Sequence, residues 1–319
     1  LLFHCATGRP PYCGEADEET ARQHASAPVP DPRETRPQLP DRLAELITTL
    51  LAEEPAERPA DAAGVLTELH RCEVSEIATP EQFLRTGTRR VSAGESMFTG
   101  RRRPLRQLTD LWEEVRRGEP RAAIVSGPGG SGKTALVEAL LDQIRSDRPM
   151  VLHLEGLVEE PYPYAPIRRM FEPLFDFARS LDESGRRIAR RAMEEAMGEY
   201  APVLESVLPE LVVTETTAGE RPEEAGPELV YPAVASVLGS LAEQAGGAVL
   251  VVDNAHQLDE ATLEVLERLA IEVQSTPLLM LAVCDQEAPE ERLEAVASSL
   301  EEILSLHAEL GPMSPEGIE

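Results

Sequence analysis

The stretch RAAIVSGPGGSGKTALVEALL, residues 121–141, decides the fold of this chain. Its centre, GPGGSGKT at 127–134, matches the pattern G-x-x-x-x-G-K-[ST], and an apolar run at 122–125 precedes it. Glycines let the backbone turn tightly enough for its N–H groups to point at phosphate oxygens, and the dipole of a following helix favours the same anions. The pattern therefore predicts a strand, a phosphate-binding loop and a helix in succession.

The two residues that end this loop predict its ligand. Lys133 is the only lysine among 319 residues, so every other basic side chain is an arginine. Its compact ammonium would reach the β- and γ-phosphates of a nucleotide, and the Thr134 hydroxyl would bind Mg²⁺. We therefore predict ATP and Mg²⁺ as cofactors. The predicted binding residues are Gly127, Pro128, Gly129, Gly130, Ser131, Gly132, Lys133 and Thr134.

A second acidic signal follows the run AVLVV at 248–252. Asp253 comes directly after these apolar residues, so it would lie at the carboxyl end of a buried strand, the edge where open α/β sheets bind ligands. An aspartate at that edge can hold Mg²⁺ through water. We predict Asp253 as the second metal-binding residue beside Thr134.

A rival interpretation exists for the same glycines. Gly127, Gly129 and Gly132 also satisfy G-x-G-x-x-G, the dinucleotide fingerprint, and Glu155 ends the next apolar run, where a ribose partner would sit. This interpretation leaves the Lys-Thr pair unexplained, so the phosphate loop is favoured.

Four short apolar runs predict the fold class. They are AAIVS at 122–126, MVLHLEG at 150–156, AVLVVD at 248–253 and LLMLAVC at 278–284, with helical spacing between them. Continuous runs of this length suit strands buried on both faces, which implies a parallel sheet flanked by helices. We predict an α/β domain over residues 97–319.

The preceding residues have a different organisation. Residues 1–73 contain short helical patterns joined by proline-rich loops, and DRLAELITTLLAEEP at 41–55 places its apolar residues on one helical stripe that Pro55 ends. Residues 74–96 lose this periodicity, and we interpret them as a linker. The predicted organisation is a small all-α segment, a linker and an α/β domain.

Composition excludes several function classes. The formal net charge is −28, from 58 acidic and 30 basic residues, so most of the surface would repel nucleic acid. The four cysteines form no C-x-x-C pair, which argues against a zinc site and a disulfide framework. No apolar run reaches the ~18 residues that a membrane span needs. We expect a reduced, cytoplasmic protein without a membrane partner, and the ends of the sequence suggest a fragment of a longer chain.

Four blocks in order carry a family resemblance. FTGRRRPLRQLTDLW at 98–112, GPGGSGKTALVEALL at 127–141, YPYAPIRRMFEPL at 162–174 and AVLVVDNAHQLDEATLEVLERLA at 248–270 resemble the AAA-type signal-transduction ATPase module, the STAND class, of bacterial regulators. The resemblance covers about 97–290. It implies a P-loop NTPase fold in which 127–134 are Walker A, Asp253 is the Walker B magnesium aspartate and 98–101 begin the domain. We expect the C-terminal lid of such a module to lie outside the sequence.

The chain departs from this family at two places. The family usually carries a second acidic residue after the Walker B aspartate to activate the attacking water, and here Asn254 stands there. An amide is a poor general base, and loss of such a base costs ~10²–10⁴ in rate. The family also places a polar or arginine sensor after the fourth strand, where Asp285 and Gln286 are uncertain substitutes. His256 and Asp259 could approach the site, but a solvated loop is the simpler interpretation.

A second resemblance covers nearly all of residues 1–71. TGRPPY at 7–12 and LLAEEPAERPADA at 50–62 resemble the C-terminal part of the kinase lobe in bacterial eukaryotic-type serine/threonine protein kinases. By that resemblance Arg58 is the arginine that pairs with an activation-segment glutamate. The glycine-rich loop, strand lysine, H-R-D and D-F-G motifs of a kinase do not accompany these residues, and the chain's only lysine lies in the other domain, so we expect no kinase activity from these residues alone.

These observations lead to one expected function and two alternatives. We expect a fragment of a multidomain serine/threonine kinase. Its ATPase module would exchange ATP and ADP as a signalling switch, with slow hydrolysis or none. Protein partners would bind the parent protein through its kinase and sensor regions. Asp253 and Asn254 would be the catalytic positions. Whether copies of the chain form an oligomer when nucleotide binds stays open. The alternatives are a nucleic-acid-acting, origin-recognition-like ATPase and a non-catalytic nucleotide-binding scaffold.

Overall fold

The chain forms two compact units, residues Leu1–Glu76 and Ile77–Glu319. The computed structural model describes residues 2–13, 19, 22, 28–37, 39, 41–52, 54, 58–59, 62, 64–65, 69, 77–88, 101–157, 164–207, 226–273 and 275–311. None of the helices in these ranges combines the length and the apolar character that crossing a membrane requires.

The first unit is helical where it is described. Helix α1 spans Leu2–Thr7, a 3-10 turn spans Pro32–Glu34, and helix α2 spans Asp41–Leu50. Helix α2 is the helix that the apolar stripe at 41–55 predicted, and it ends before Pro55. A small apolar core holds these elements together, formed by Phe3, Leu39, Ala44 and Ile47.

The second unit is built on a five-stranded parallel sheet. The strands are β1 Arg121–Gly127, β2 Met150–Glu155, β3 Ala248–Asp253, β4 Leu278–Asp285 and β5 Leu304–Glu309. Their order across the sheet is β2-β3-β4-β1-β5, and every neighbouring pair is parallel. The predicted α/β class, a parallel sheet flanked by helices, is confirmed.

The central strands are buried on both faces, as their continuous apolar runs predicted. Alternate side chains of a strand point to opposite faces of the sheet. One set, which includes Val125, Val251 and Leu281, packs into a core with Leu108 and Trp112 of the helix before β1. The other set, which includes Ile124 and Leu250, is also at most 5% exposed.

Helices connect and cover these strands. Helix α3 spans Pro80–Gly87, and the remaining helices are α4 Arg102–Val115, α5 Lys133–Gln143, α6 Ala165–Ser180, α7 Glu183–Met197, α8 Ala201–Val207, α9 Pro227–Gln244, α10 Glu260–Glu272 and α11 Glu290–Ser299. Each β-strand to β-strand connection within the sheet therefore runs through at least one helix.

Helix α3 corrects the prediction of a linker over 74–96. Thr79 caps its N-terminus by accepting a hydrogen bond from the Gln82 N–H, and Pro80 occupies the first turn, where its missing N–H costs nothing. Phe83 is 1% exposed and stacks on Phe177 of α6 with ring centroids 5.9 Å apart. The segment is thus part of the α/β unit from residue 77 onward, and its residues 74–76 and 89–96 lie outside the described residues.

Candidate functional site

The loop predicted to bind phosphate lies between β1, which ends at Gly127, and α5, which begins at Lys133. A Cβ atom at Gly127 would lie 2.5 Å from the Leu310 carbonyl oxygen, so only glycine fits there. Gly130 and Gly132 have φ angles of 75° and 87°, in the left-handed region that favours glycine. The backbone of the turn therefore requires three of its four glycines, and at Gly129 a side chain would meet open space.

Lys133 lies at the mouth of this loop. Its half-buried Nζ donates hydrogen bonds to the carbonyl oxygens of Gly127, at 2.8 Å, and of Pro128, at 3.0 Å. These bonds hold the ammonium against the loop instead of letting it extend into solvent. Thr134 follows in the first turn of α5 with an exposed side chain, where a ligand in the loop can reach it.

Ser131 gives an independent sign that the loop is built for a polar ligand. Its Oγ atom is fully buried and has no hydrogen-bond partner within the described part of the chain. A buried hydroxyl without a partner costs free energy, so it is rare unless another molecule completes it. The orphaned hydroxyl, the glycine turn and the start of α5 together fit an anionic group in the loop.

Sequence reasoning missed the contribution of Arg101 to this loop. Its guanidinium donates hydrogen bonds to the carbonyl oxygen of Ser131, at 3.0 Å, and to that of Gly311. Arg101 therefore ties the loop to the residues that follow β5. The sequence offered a signal, because Arg101 belongs to the block at 98–112 that carries the family resemblance. Residues 98–100, predicted to begin the domain, lie outside the described residues.

Asp253 is the last residue of β3, as predicted, and it is half-buried at the carboxyl edge of the sheet. Its Oδ1 atom accepts a hydrogen bond of 2.9 Å from the Asn254 N–H. Strand β4 lies between β3 and β1, and its last residue, Asp285, pairs with Gly127. Asp253 and the glycine loop therefore lie at the same edge, one strand apart.

Asn254 has a left-handed backbone, with φ 48° and ψ 41°. Asparagine tolerates this conformation better than glutamate does. Its carbonyl oxygen is so close to Gly156 that a Cβ atom there would lie 2.5 Å from it. The residue at this position is therefore constrained by the shape of the turn as well as by chemistry.

The residues predicted as uncertain sensor substitutes contact the loop through the backbone. The Gln286 N–H donates to the Gly127 carbonyl oxygen at 3.1 Å, while the Gln286 side chain is exposed. The Asp285 carboxylate accepts from the Glu287 N–H at 3.0 Å within its own turn. The end of β4 is thus fastened to the glycine loop, but neither side chain is directed to it by these bonds.

The interpretation of His256 as part of a solvated loop is wrong. The side chain is half-buried, and its Nδ1 atom accepts a hydrogen bond of 3.3 Å from the Asp285 N–H. Burial lowers the pKa of His256, the charges of Arg292 and Lys133 lower it further, and those of Asp285 and Asp253 oppose the shift. His256 therefore lies within the electrostatic reach of the predicted site.

Asp259 has a structural role in the same loop. Its Oδ1 atom accepts from the Thr262 N–H at 2.7 Å, and its Oδ2 atom accepts from the Thr262 hydroxyl at 3.1 Å. These bonds cap the N-terminus of α10. The carboxylate is therefore committed to the helix.

The strand order opposes the dinucleotide-fingerprint interpretation. In the classic dinucleotide-binding order the first two strands are neighbours, so an acidic residue that ends β2 lies beside the glycine loop. Here β3 and β4 separate β2 from β1, which places the end of β2 about 14 Å from β1 at the usual strand spacing. Glu155 therefore cannot serve as the ribose partner of a nucleotide whose phosphates lie in the glycine loop.

The site and the strand order define a P-loop NTPase of the AAA type. Residues 97–281, more than half of the chain, match the model of the AAA ATPase domain, and the chain belongs to this family. The family assignment implies nucleotide binding.

A further comparison concerns a protein kinase. The chain is 38% identical over 65 residues to the DNA damage-responsive serine/threonine-protein kinase RqkA of Deinococcus radiodurans. The match covers 20% of this chain and 10% of that kinase, so the shared part is about a tenth of the relative's length.

Proposed function

We propose that the second unit binds Mg·ATP in the loop at 127–134 and acts as a nucleotide switch with slow hydrolysis or none. The observation that carries the proposal is the position of the chain's only lysine, held 2.8 Å from the Gly127 carbonyl oxygen at the mouth of a glycine turn. When a nucleotide binds, the ammonium can give up its hydrogen bonds to the two carbonyl oxygens and form stronger, charge-assisted bonds to phosphate oxygens.

The residues present fit a magnesium ion of the kind that accompanies a nucleotide. Where the chain is described, His, Cys, Asp and Glu side chains form no group of three or more that could hold a metal ion. Mg²⁺ bound with a nucleotide needs no such group, because phosphates and water supply most of its ligands. Thr134 would bind the ion directly and Asp253 through water. The ion would neutralise phosphate charge when bound.

Slow hydrolysis follows from Asn254. An amide cannot take a proton from water at neutral pH, so this position supplies no general base. His256 does not replace it through Nδ1, because that nitrogen accepts a hydrogen bond from the backbone. The bound nucleotide would therefore persist, as a switch requires. If the nucleotide is neither hydrolysed nor released, it has a structural role, which is the scaffold alternative.

The decisive experiment measures Mg·ATP binding and phosphate release for the whole chain and for Lys133→Ala. The matched control is Arg106→Ala, which removes one positive charge at an exposed position of α4. Loss of a charge-assisted contact of ~1.5–3 kcal/mol should weaken binding by about 10- to 100-fold. We expect this loss for Lys133→Ala and near-normal binding for Arg106→Ala. Equal binding by both variants would refute the proposed site.

We further propose that the chain belongs to a longer cytoplasmic serine/threonine kinase that carries this switch. The kinase resemblance of residues 1–71 and the 65-residue match to a bacterial kinase support this proposal. In the first unit the Arg58 guanidinium donates to the Ala52 carbonyl oxygen at 2.9 Å and is exposed, so it is available to other partners. Regulation of the kinase would then depend on the nucleotide state of the second unit.

Reading the gene upstream of Leu1 tests the kinase context. We expect codons for a glycine-rich loop, a strand lysine, H-R-D-x-x-x-x-N and D-F-G in that order. A protein extended to include them should transfer phosphate to protein even with Lys133→Ala, because the two nucleotide sites are separate. An upstream sequence without these motifs would leave the second unit's function intact and remove the kinase from the proposal.

A further inference from the structure

His256 makes a hydrogen bond that fixes which of its nitrogens carries the proton. It lies in the 3-10 turn Ala255–Gln257, directly after Asp253 and Asn254. A backbone N–H can only donate, so Nδ1, 3.3 Å from the Asp285 nitrogen, carries no proton. In the neutral imidazole the proton is then on Nε2. This nitrogen lies 3.3 Å from the Gln257 Nε2 atom, which is also a donor, so the Gln257 amide can bond to the imidazole only through its oxygen. The imidazole thus connects the turn after β3 to the end of β4.

Arg292 holds the same turn from the other side. This half-buried residue of α11 donates from Nε to the His256 carbonyl oxygen at 2.9 Å and from Nη2 to the Leu258 carbonyl oxygen. One guanidinium therefore binds the middle residue of the turn that follows Asp253 and the residue directly after that turn. Because both bonds come from one planar guanidinium, a shift of the turn has to carry the Arg292 side chain with it or break these bonds.

The bonds continue to the glycine loop. Next to Asp285, the Gln286 N–H donates to the Gly127 carbonyl oxygen at 3.1 Å. The Lys133 Nζ binds the same carbonyl oxygen at 2.8 Å. The path from Lys133 to Arg292 therefore runs through Gly127, the end of β4 and His256, and each step is a hydrogen bond or the next residue along the backbone.

We propose that His256 is a positioning residue that holds the Asp253 turn against the end of β4 and, through Arg292, couples the nucleotide site to helix α11. The proposal rests on the proposed function of the loop as a nucleotide site. His256 does not touch the reacting atoms in this arrangement. It sets where the Asp253 carboxylate lies relative to the glycine loop, and so sets the magnesium-dependent part of nucleotide affinity.

Three substitutions of His256 in the whole chain test the positioning role. In His256→Asn the amide oxygen can replace Nδ1 as the acceptor for the Asp285 N–H, in His256→Gln the amide reaches the Nε2 position instead, and His256→Ala removes both. Residues that orient metal ligands typically contribute 10- to 100-fold to metal affinity. We expect His256→Ala and His256→Gln to weaken ATP binding about tenfold in Mg²⁺ but not in EDTA, and His256→Asn to restore it.

The controls separate this inference from the proposed function. If the unsubstituted chain binds no nucleotide, or if Lys133→Ala binds as well as the unsubstituted chain, both fail. If binding depends on Lys133 but His256→Ala changes nothing, or weakens binding equally in Mg²⁺ and in EDTA, only the positioning role fails. Rescue by His256→Gln and not by His256→Asn would also overturn it. Thermal melting of each variant shows whether a loss of binding reflects unfolding.

Hydrogen exchange of α11 tests the coupling. At saturating Mg·ATP we expect the amides of Glu290–Ser299 to change their exchange rate in the unsubstituted chain. Arg292→Leu, which keeps a long apolar side chain and removes the donors, should abolish this change at a nucleotide concentration that saturates the variant. An unchanged response in Arg292→Leu would show that α11 is not coupled through this guanidinium.

Discussion

Asn254 lacks the carboxylate that a general base would need at this proposed catalytic position, and its backbone is restricted. We expect Asn254→Asp to raise phosphate release by up to ~10²-fold, because a carboxylate can accept the proton of the attacking water and aspartate tolerates the φ of 48°. Asn254→Glu carries the acid but should lose ~1 kcal/mol of stability, since the left-handed conformation is unfavourable for a longer side chain. Phosphate release at saturating Mg·ATP and urea unfolding of both variants measure the two effects.

Asn254→Gly is the matched control for the backbone. Glycine adopts the left-handed conformation freely but adds no acid, so we expect normal stability and no gain in rate. A rate gain in the glycine variant would mean that mobility of the turn, not the absent carboxylate, limits hydrolysis.

Cys284 supports a prediction about thiol reactivity. It is 1% exposed on β4, and burial raises its pKa to about 11. A thiol reacts as the thiolate, and at pH 8 roughly 0.1% of such a thiol is ionised. We expect iodoacetamide to leave Cys284 unmodified in the folded chain while it labels the exposed Cys5, as site-resolved mass spectrometry would show. Labelling of Cys284 at the rate of Cys5 would contradict its burial.

Individual side chains differ in how far the sequence reveals their place. Lys133 and Asp253 follow recognisable apolar runs, so their positions at the ends of a loop and a strand were predictable. His256 was not, because its partner Asp285 is 29 residues away and becomes a neighbour only when β4 inserts beside β3. Strand order is set by long-range packing, which a single sequence does not display.

At the level of elements, helix α3 allows a test of how strongly a short helix stabilises the α/β unit. Leu84 is 0% exposed, whereas Leu229 in the first turn of α9 is 50% exposed. Leu84→Ala should cost ~2–5 kcal/mol in the free energy of unfolding, and the matched Leu229→Ala should stay within about 0.5 kcal/mol. Urea unfolding monitored by circular dichroism compares the two variants. A small effect of Leu84→Ala would mean that α3 detaches readily from the unit.

Two elements, helix α3 and strand β5, were missed from the sequence for different reasons. Helix α3 has only eight residues, too few for a clear helical period, and its stabilising contacts come from α6 across the fold. Strand β5 lies at the edge of the sheet, where alternate side chains such as Ser305 and His307 are exposed. A search for continuous apolar runs finds strands buried on both faces and overlooks an edge strand that alternates. The three interior strands were all predicted, and so was the other edge strand, β2, because Met150–Leu154 is apolar apart from His153.

At the scale of the whole molecule, the two compact units differ in what they contribute. All residues of the proposed nucleotide site, from Arg101 to Arg292, belong to the unit that begins at Ile77. The match to the AAA family begins only at residue 97, after helix α3. The structural unit therefore begins 20 residues before the family match. The described part of this extra segment includes the buried side chains of Phe83 and Leu84.

This difference predicts opposite behaviour for two truncated chains. Residues 77–319 should bind Mg·ATP within about threefold of the whole chain, because the site and α3 are retained. Residues 97–319 lose the burial of Phe83 and Leu84, worth ~1.5–3 kcal/mol each, and the hydrogen bond of 2.7 Å from Arg85 to the Ala245 carbonyl oxygen. They should melt about 10 °C lower, given ~2–4 °C per kcal/mol for a domain of this size.

Thermal melting with and without Mg·ATP compares the two chains. Equal melting temperatures would show that α3 is only an appendage, and weak binding by 77–319 would show that the first unit contributes to the nucleotide site.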